Sequence, residues 1–97
     1  MATRVNRYRY TSQGFKDIKD ALKRVEAALK ATEAAGGKIK EVLWLEDGYD
    51  LLVIGEEIDE YAGTVLNLSI VKQGNVTAQV TRGFTMDEMK QILAKVA

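Results

Sequence analysis

The sequence of 97 residues contains no cysteine, no histidine and no proline. Without cysteine and histidine there is no disulfide framework, no thiolate nucleophile, no Cys/His zinc site and no Ser-His triad. The glycine motifs of calcium loops, Walker sites and dinucleotide-binding sites are absent as well. Any catalysis therefore has to use Tyr, Asp, Glu, Lys, Arg, Ser or Thr, and the sequence predicts neither a metal site nor a cofactor.

Neither sign of charge dominates, because 14 Lys and Arg balance 14 Asp and Glu. Such a chain has no overall basic field that would attract nucleic acid or an anionic membrane. No apolar run approaches the roughly 20 residues of a bilayer span, and residues 1–10 lack the apolar core of a signal peptide. The expectation is a cytoplasmic protein whose partners include neither nucleic acid nor a membrane.

The length of the chain predicts one domain over residues 1–97, and the spacing of its hydrophobic residues predicts the order β-α-β-β-α-β-α. Residues 3–10 show no helical period and are typical of a strand, whereas apolar residues three and four apart predict one helix over residues 12–35. Asp47-Gly48 then joins two strands in a dipeptide suited to the positive φ angles of a type I′ turn. The other predicted elements are strands over 39–46, 49–57 and 75–84, a helix from Asp59 to Gly74, and a short helix capped by Thr85 and Glu88.

This order fits an α+β, ferredoxin-like fold with a four-stranded antiparallel sheet and both main helices on one face. The first and third strands would be central, and the second and fourth would be edges. The first helix would carry one apolar stripe made of Phe15, Ile18, Leu22, Val25 and Leu29. The second would carry Ala62, Val65, Leu66 and Ile70, and the last would turn Met89, Ile92, Leu93 and Val96 inward.

The hairpin made by the second and third strands is apolar on both faces. A two-residue loop at Asp47-Gly48 pairs Trp44 with Leu51 and Val42 with Val53, whereas a three-residue loop would shift the register by one. With the two-residue loop the other face carries Ile39, Leu43, Leu45, Leu52 and Ile54. Since a sheet covered by helices on one side should be polar on the other, we expect a second copy to cover it, in a homodimer or higher homo-oligomer.

Three blocks, in order along nearly the whole chain, resemble the GYD domain family of small bacterial and archaeal proteins. They are TSQGFKDIKDALKR, AGGKIKEVLWLEDGYDLLVIGE and QGNVTAQVTRGFTMDE. The resemblance implies a ferredoxin-like dimeric α/β sandwich, of the kind used by small cofactor-free monooxygenases, isomerases and ligand-sensing domains. It implies no activity for particular residues, so function has to be argued from the side chains themselves.

Tyr49 and Asp50 are the candidate catalytic residues. A carboxylate and a phenol at the rim of a cleft would serve as base and hydrogen-bond donor in a cofactor-independent isomerase or monooxygenase. The structural alternative is that Tyr49 packs on Trp44 while Asp50 caps a backbone N–H in the turn, as Asx side chains do. We expect the structural role.

Arg7 and Arg9 are the candidate ligand-binding residues, because a central strand is seldom so polar. Facing a cleft between two sheets, together with Tyr8, Tyr49 and Gln79, they would clamp a small organic anion in bidentate fashion. The alternative is that both arginines pair with acidic residues within the sheet or across a dimer. Three functions therefore remain open, namely an anion-binding module, a cofactor-independent enzyme and a purely structural or assembly subunit.

Overall fold

Four antiparallel strands form the sheet of the computed structural model, which describes residues 2–57 and 59–97. The strands are β1 (Ala2–Tyr10), β2 (Lys38–Trp44), β3 (Leu51–Glu57) and β4 (Val76–Gly83). Their order in the sheet is β2-β3-β1-β4. The first and third strands are thus central and the other two are edges, which confirms the predicted α+β, ferredoxin-like fold.

The helices differ from the prediction in their first segment. They are α1 (Ser12–Lys16), a 3₁₀ turn (Ile18–Asp20), α2 (Ala21–Ala34), α3 (Glu60–Lys72) and α4 (Met86–Ala94). The prediction of one continuous helix over 12–35 is wrong, because Asp17 leaves the helical region at φ −103° and ψ 28°. In the described part of the chain, no helix is long and apolar enough to cross a membrane.

Contacts with the loop before β4 hold α1 apart from α2. The Thr11 N–H donates to the carbonyl oxygen of Asn75 at 3.0 Å, and the Thr11 hydroxyl donates to the carbonyl of Gly74. Gly14 lies so close to this loop that a Cβ atom would overlap the Asn75 carbonyl oxygen. These contacts fix the direction of α1, and the chain has to turn before α2 can lie on the sheet.

The break changes which apolar side chains face inward. Val25 packs against the core, but Leu22 is 62% exposed, and Phe15 and Ile18 are exposed as well. On α3, Val65 is likewise exposed. The apolar stripe predicted over residues 12–35 therefore does not face the sheet as one surface, because a helix that restarts presents a neighbouring row of side chains to the sheet.

The core lies where the helices meet the centre of the sheet. Tyr8 of β1, Leu51 of β3 and Val76 of β4 form its buried cluster. Val25 from α2 and Ile70 from α3 pack against this cluster from the other layer. The face of the sheet that carries Tyr8 is therefore the helix-covered face, and we call the opposite side the open face.

The hairpin has the register of a two-residue loop, with Trp44 opposite Leu51 and Val42 opposite Val53, as predicted. The predicted type I′ turn is not formed, because the backbone of Gly48 does not take a positive φ. Instead, Asp47 Oδ1 accepts a hydrogen bond from the Tyr49 N–H at 2.8 Å. This Asx contact replaces the left-handed residues of a type I′ turn.

A β-bulge in β2 corrects the predicted facing of Ile39. Lys38 and Ile39 pair with Glu56 and Gly55, but the register shifts between Ile39 and Glu41. The extra residue, Lys40, moves Ile39 from the open face to the helix-covered face. Because Lys40 itself reaches Glu56 at 2.8 Å, the bulge is held by an ion pair.

Helix α4 begins with the predicted capping box, in which Thr85 and Glu88 each accept a hydrogen bond from the other's backbone N–H. The prediction that its apolar side chains face inward is wrong. Leu93 is 59% and Val96 is 65% exposed, because the rest of the described chain does not cover this face of α4. Such a short helix is marginal on its own in water, so α4 depends on its cap.

We expect the beginning of α4 to loosen in acid. Arg82 and the Thr85 N–H lower the pKa of Glu88 from 4.5 to about 2. Because the folded chain lowers this pKa, the stabilisation is complete above the ordinary pKa and is lost as the pH falls through about 2. Amide hydrogen exchange in α4, measured by NMR from pH 5 to pH 2, should rise on acidification after correction for intrinsic rates.

The matched control is Glu88→Gln, which cannot ionise. In this variant α4 should be less protected at pH 5 and should change little with pH over the same window. Parallel pH profiles in the parent protein and in Glu88→Gln would show that other groups govern α4.

Candidate functional site

The open face carries a polar half and an apolar half. Across the middle of the sheet Arg7 lies between Leu52 of β3 and Gln79 of β4. Leu43 of β2 continues this row beyond Leu52. The hairpin strands therefore present leucines, whereas β1 and β4 present an arginine and an amide. This arrangement confirms that the hairpin is apolar on both faces.

Two guanidinium groups share one aromatic ring on the open face. The Cζ atoms of Arg7 and Arg9 lie 5.7 Å and 4.4 Å from the centroid of the Tyr49 ring. Arg9 also donates from Nε to the Gly48 carbonyl oxygen at 2.6 Å. The loop between β2 and β3 thus holds the side chains of β1 in place by a cation–π contact and a backbone acceptor. We call Arg7, Arg9 and Tyr49 the arginine cluster.

No carboxylate neutralises the arginine cluster within residues 2–57 and 59–97. The ion pairs of this part of the chain join other residues, namely Arg4 with Glu57 and Glu60, Lys40 with Glu56, and Arg82 with Glu88. Both Arg7 and Arg9 are exposed. The alternative that these two arginines pair with acids inside their own sheet therefore does not describe this structure.

Gln79 lies on the same face as the arginine cluster, but Tyr8 does not. Gln79 is directly opposite Arg7 in the β1–β4 pairing, and Thr77 is opposite Arg9. Tyr8 points to the helix-covered face, where it is 6% exposed, and burial raises the pKa of its phenol. Of the five predicted ligand-binding residues, four lie on the open face and one lies beneath the helices.

Tyr49 and Asp50 have separate roles although they are adjacent. Asp50 Oδ2 accepts a hydrogen bond from the Tyr10 N–H at 2.8 Å, and the Asp50 N–H donates to the Tyr8 carbonyl oxygen at 2.9 Å. Tyr49 lies beneath the arginines and not on Trp44, whose indole N–H donates to the Tyr10 hydroxyl at 2.9 Å. Asp50 therefore fastens the loop to the end of β1, and Tyr49 supports the guanidinium groups.

The Gly48 carbonyl oxygen is the part of this site that sequence reasoning missed. It accepts from Arg9, yet a backbone carbonyl gives no residue-type signal, so only the pairing of β1 with β3 could reveal it. In the described ranges, no group of three or more Asp or Glu side chains is placed to hold a metal ion. The arrangement is suited to binding oxygen atoms of an anion.

A family profile described as "GYD domain" matches residues 5–93 of the 97-residue chain. The matched range includes the whole arginine cluster and Gln79, and the match confirms the resemblance seen in the sequence. No curated protein and no solved structure matches the chain significantly. The comparisons therefore supply a family, and the chemistry has to be argued from the geometry of the site.

We expect Asp50→Ala to destabilise the fold, because the half-buried Tyr10 N–H loses its charged acceptor. The free energy of unfolding in urea should fall by about 1–3 kcal/mol. Asp50→Asn keeps an oxygen at the same place and should lose less than about 1 kcal/mol. Equal stability of the parent protein and Asp50→Ala would show that Asp50 does not fasten the loop.

Proposed function

The chain belongs to the GYD domain family, and we propose that it is a homo-oligomeric module that binds a small organic anion on the open face of its sheet. The observation that supports this proposal is the arginine cluster. Arg7 and Arg9 are both exposed, both contact the ring of Tyr49, and neither has a carboxylate within 4.0 Å in the described chain.

The donors of the cluster suit a ligand with several oxygen atoms. A guanidinium group presents a planar fork that matches a carboxylate or phosphate group. Arg9 uses Nε on Gly48, which leaves its two terminal nitrogens for a ligand. Gln79 and Thr77, opposite the two arginines, add an amide and a hydroxyl on the β4 side. A dianion that spans both guanidinium groups fits this set better than a monoanion.

The apolar half of the open face supports an assembly of identical chains. Leu43 is 45% exposed on β2, and the neighbouring β3 presents Leu52 and Ile54 on the same face. A second copy packed sheet to sheet would cover these side chains. It would also place the arginine cluster in a cleft with less water, where contacts between a guanidinium group and an anion are stronger than on a free surface.

The cofactor-independent enzyme has weaker support than the binding module. An oxygen of Asp50 already accepts from the Tyr10 N–H, and the ring of Tyr49 is occupied by two guanidinium groups. A base and a donor would need to face one substrate together, whereas these two side chains contact different parts of β1.

The anion site can be tested with malonate and inorganic phosphate as probes in NMR titrations. The NMR signals of the amides of residues 7–9, 48–49 and 77–79 should shift as the probe is added, and the shifts should reach a plateau at saturation. The double variant Arg7→Ala/Arg9→Ala should weaken binding by at least about tenfold, because hydrogen bonds to charged groups contribute about 1.5–3 kcal/mol each. The charge-matched control Lys16→Ala/Lys19→Ala removes two exposed cations elsewhere and should bind as the parent does.

A uniform loss of binding in both double variants would reduce the effect to net charge and contradict a specific site. Unchanged binding in Arg7→Ala/Arg9→Ala would contradict the role of the arginine cluster. Tyr49→Leu offers a finer test, since it keeps both arginines but removes the ring that orders them, and it should weaken binding less than the double variant.

The assembly can be tested by size-exclusion chromatography with light scattering at micromolar concentration. The parent protein should have the mass of a dimer or higher oligomer. Leu43→Lys places a charge in the proposed interface and should shift the protein towards a monomer. Leu22→Lys is the matched control, because Leu22 is exposed on α2 outside the open face. A parent protein of monomer mass would contradict the proposed assembly.

A further inference from the structure

A cavity of about 750 Å³ separates the helix layer from the helix-covered face of the sheet. Its walls include Val25 and Ala28 of α2 and Leu66 of α3, and its floor includes Tyr8 and Val53 of the sheet. The volume lies within the range of small-molecule sites in proteins. Because the arginine cluster is on the other side of the sheet, this cavity is a separate space from the proposed anion site.

The cavity is a cleft that opens to solvent between the helices and the sheet. Exposed residues of both helices line its opening, among them Lys23 and Ala27 of α2 and Glu60 and Leu68 of α3. Its inner walls are largely aliphatic, so water inside it lies against apolar surface, and a ligand with an apolar body that displaces this water gains free energy. The space therefore suits an occupant with an apolar body.

Polar groups reach the cavity from both layers. Tyr8 and Asn6 come from β1 and Asn67 comes from α3. The Tyr8 side chain lines the cavity and is 6% exposed, and burial raises the pKa of its phenol. At neutral pH the phenol is therefore protonated and its hydroxyl can donate to a ligand. The Oδ1 atom of Asn67 is buried without a partner among residues 2–57 and 59–97, which leaves an acceptor unused.

Two arginines that line the cavity have partners within the described chain. Arg4 pairs with Glu57 at 2.6 Å and reaches Glu60 at 3.6 Å. Arg24 donates from Nη1 to the Asp17 carbonyl oxygen at 2.9 Å, and its Nη2 atom is buried without a partner. Val25, Val42 and Val53 pack against the cluster that contains Tyr8, and none of them carries a charge. The part of a ligand that lies beside Tyr8 is therefore better uncharged than ionised.

From this lining we infer that the cavity is a second binding site, which takes an uncharged and mainly apolar molecule whose carbonyl or hydroxyl oxygen accepts a hydrogen bond from Tyr8. Such a ligand fills the space between α2, α3 and the sheet and uses the buried donor. The protein then has two sites of opposite preference, one on each face of the same sheet.

Three probes with one ring system separate shape, hydrogen bonding and charge, namely naphthalene, 2-acetylnaphthalene and 2-naphthoate. Binding should be saturable, strongest for the uncharged ketone, and seen in the NMR spectrum at amides of α2, α3 and the centre of the sheet. Tyr8→Phe keeps the ring but removes the donor. This variant should weaken the binding of the ketone by roughly 2- to 10-fold and leave the binding of naphthalene unchanged.

A second variant tests the space itself. Ala28→Leu adds side-chain volume inside the cavity and should weaken the binding of naphthalene and of the ketone by about tenfold. Ala34→Leu makes the same change on the same helix at an exposed position outside the lining and should have no effect. Arg7→Ala/Arg9→Ala should bind the ketone as the parent does, which separates this site from the anion site.

The inference is overturned if the probes do not saturate or if 2-naphthoate binds more tightly than the ketone. It is also overturned if Ala28→Leu and Ala34→Leu have equal effects. A loss of naphthalene binding in Tyr8→Phe as large as the loss for the ketone would refute the hydrogen bond from Tyr8.

Discussion

The pairing of β1 between β3 and β4 is the constraint on which the rest of the molecule depends. Successive side chains of a strand point to opposite faces, so this pairing sends Tyr8 beneath the helices and Arg7 and Arg9 to the open face. A slip of one residue would bury two guanidinium groups and expose the centre of the core. Since both neighbours specify the same register, β1 cannot slip without losing hydrogen bonds on two sides.

This constraint also explains how a central strand tolerates two arginines. They lie on the face without helices, so their charges keep contact with water. The loop between β2 and β3 reaches across them with the ring of Tyr49 and the carbonyl of Gly48. Asp50 fastens that loop to the backbone at the end of β1. Gly48, Tyr49 and Asp50 therefore hold the guanidinium groups of Arg7 and Arg9 in place without neutralising them, which suits the proposed anion site.

Patterns that arise within one element were predictable from the sequence. The strand over residues 75–84, the pairing of Trp44 with Leu51, and the capping box of Thr85 and Glu88 all depend on neighbours a few residues apart. The features that were missed depend on contacts between distant segments. The break before α2 follows from bonds of Thr11 to the loop before β4, and the facing of Ile39 follows from one extra residue in β2. The hydrophobic periodicity of the sequence predicts neither the break before α2 nor the facing of Ile39.

The candidate site shows the same division. Because side chains alternate along a strand, Arg7 and Arg9 belong to one face of β1 and Tyr8 to the other. The predicted grouping of Tyr8 with the arginines is therefore at odds with the pleat of the strand. Alternation cannot predict the cavity between Tyr8 and the helices, because the distance between the helix layer and the sheet depends on every side chain between them. One strand thus carries an exposed cationic surface on one face and an uncharged, buried donor on the other. Since the two sets of side chains share only the backbone of β1, a substitution on one face can be made without changing the chemistry of the other.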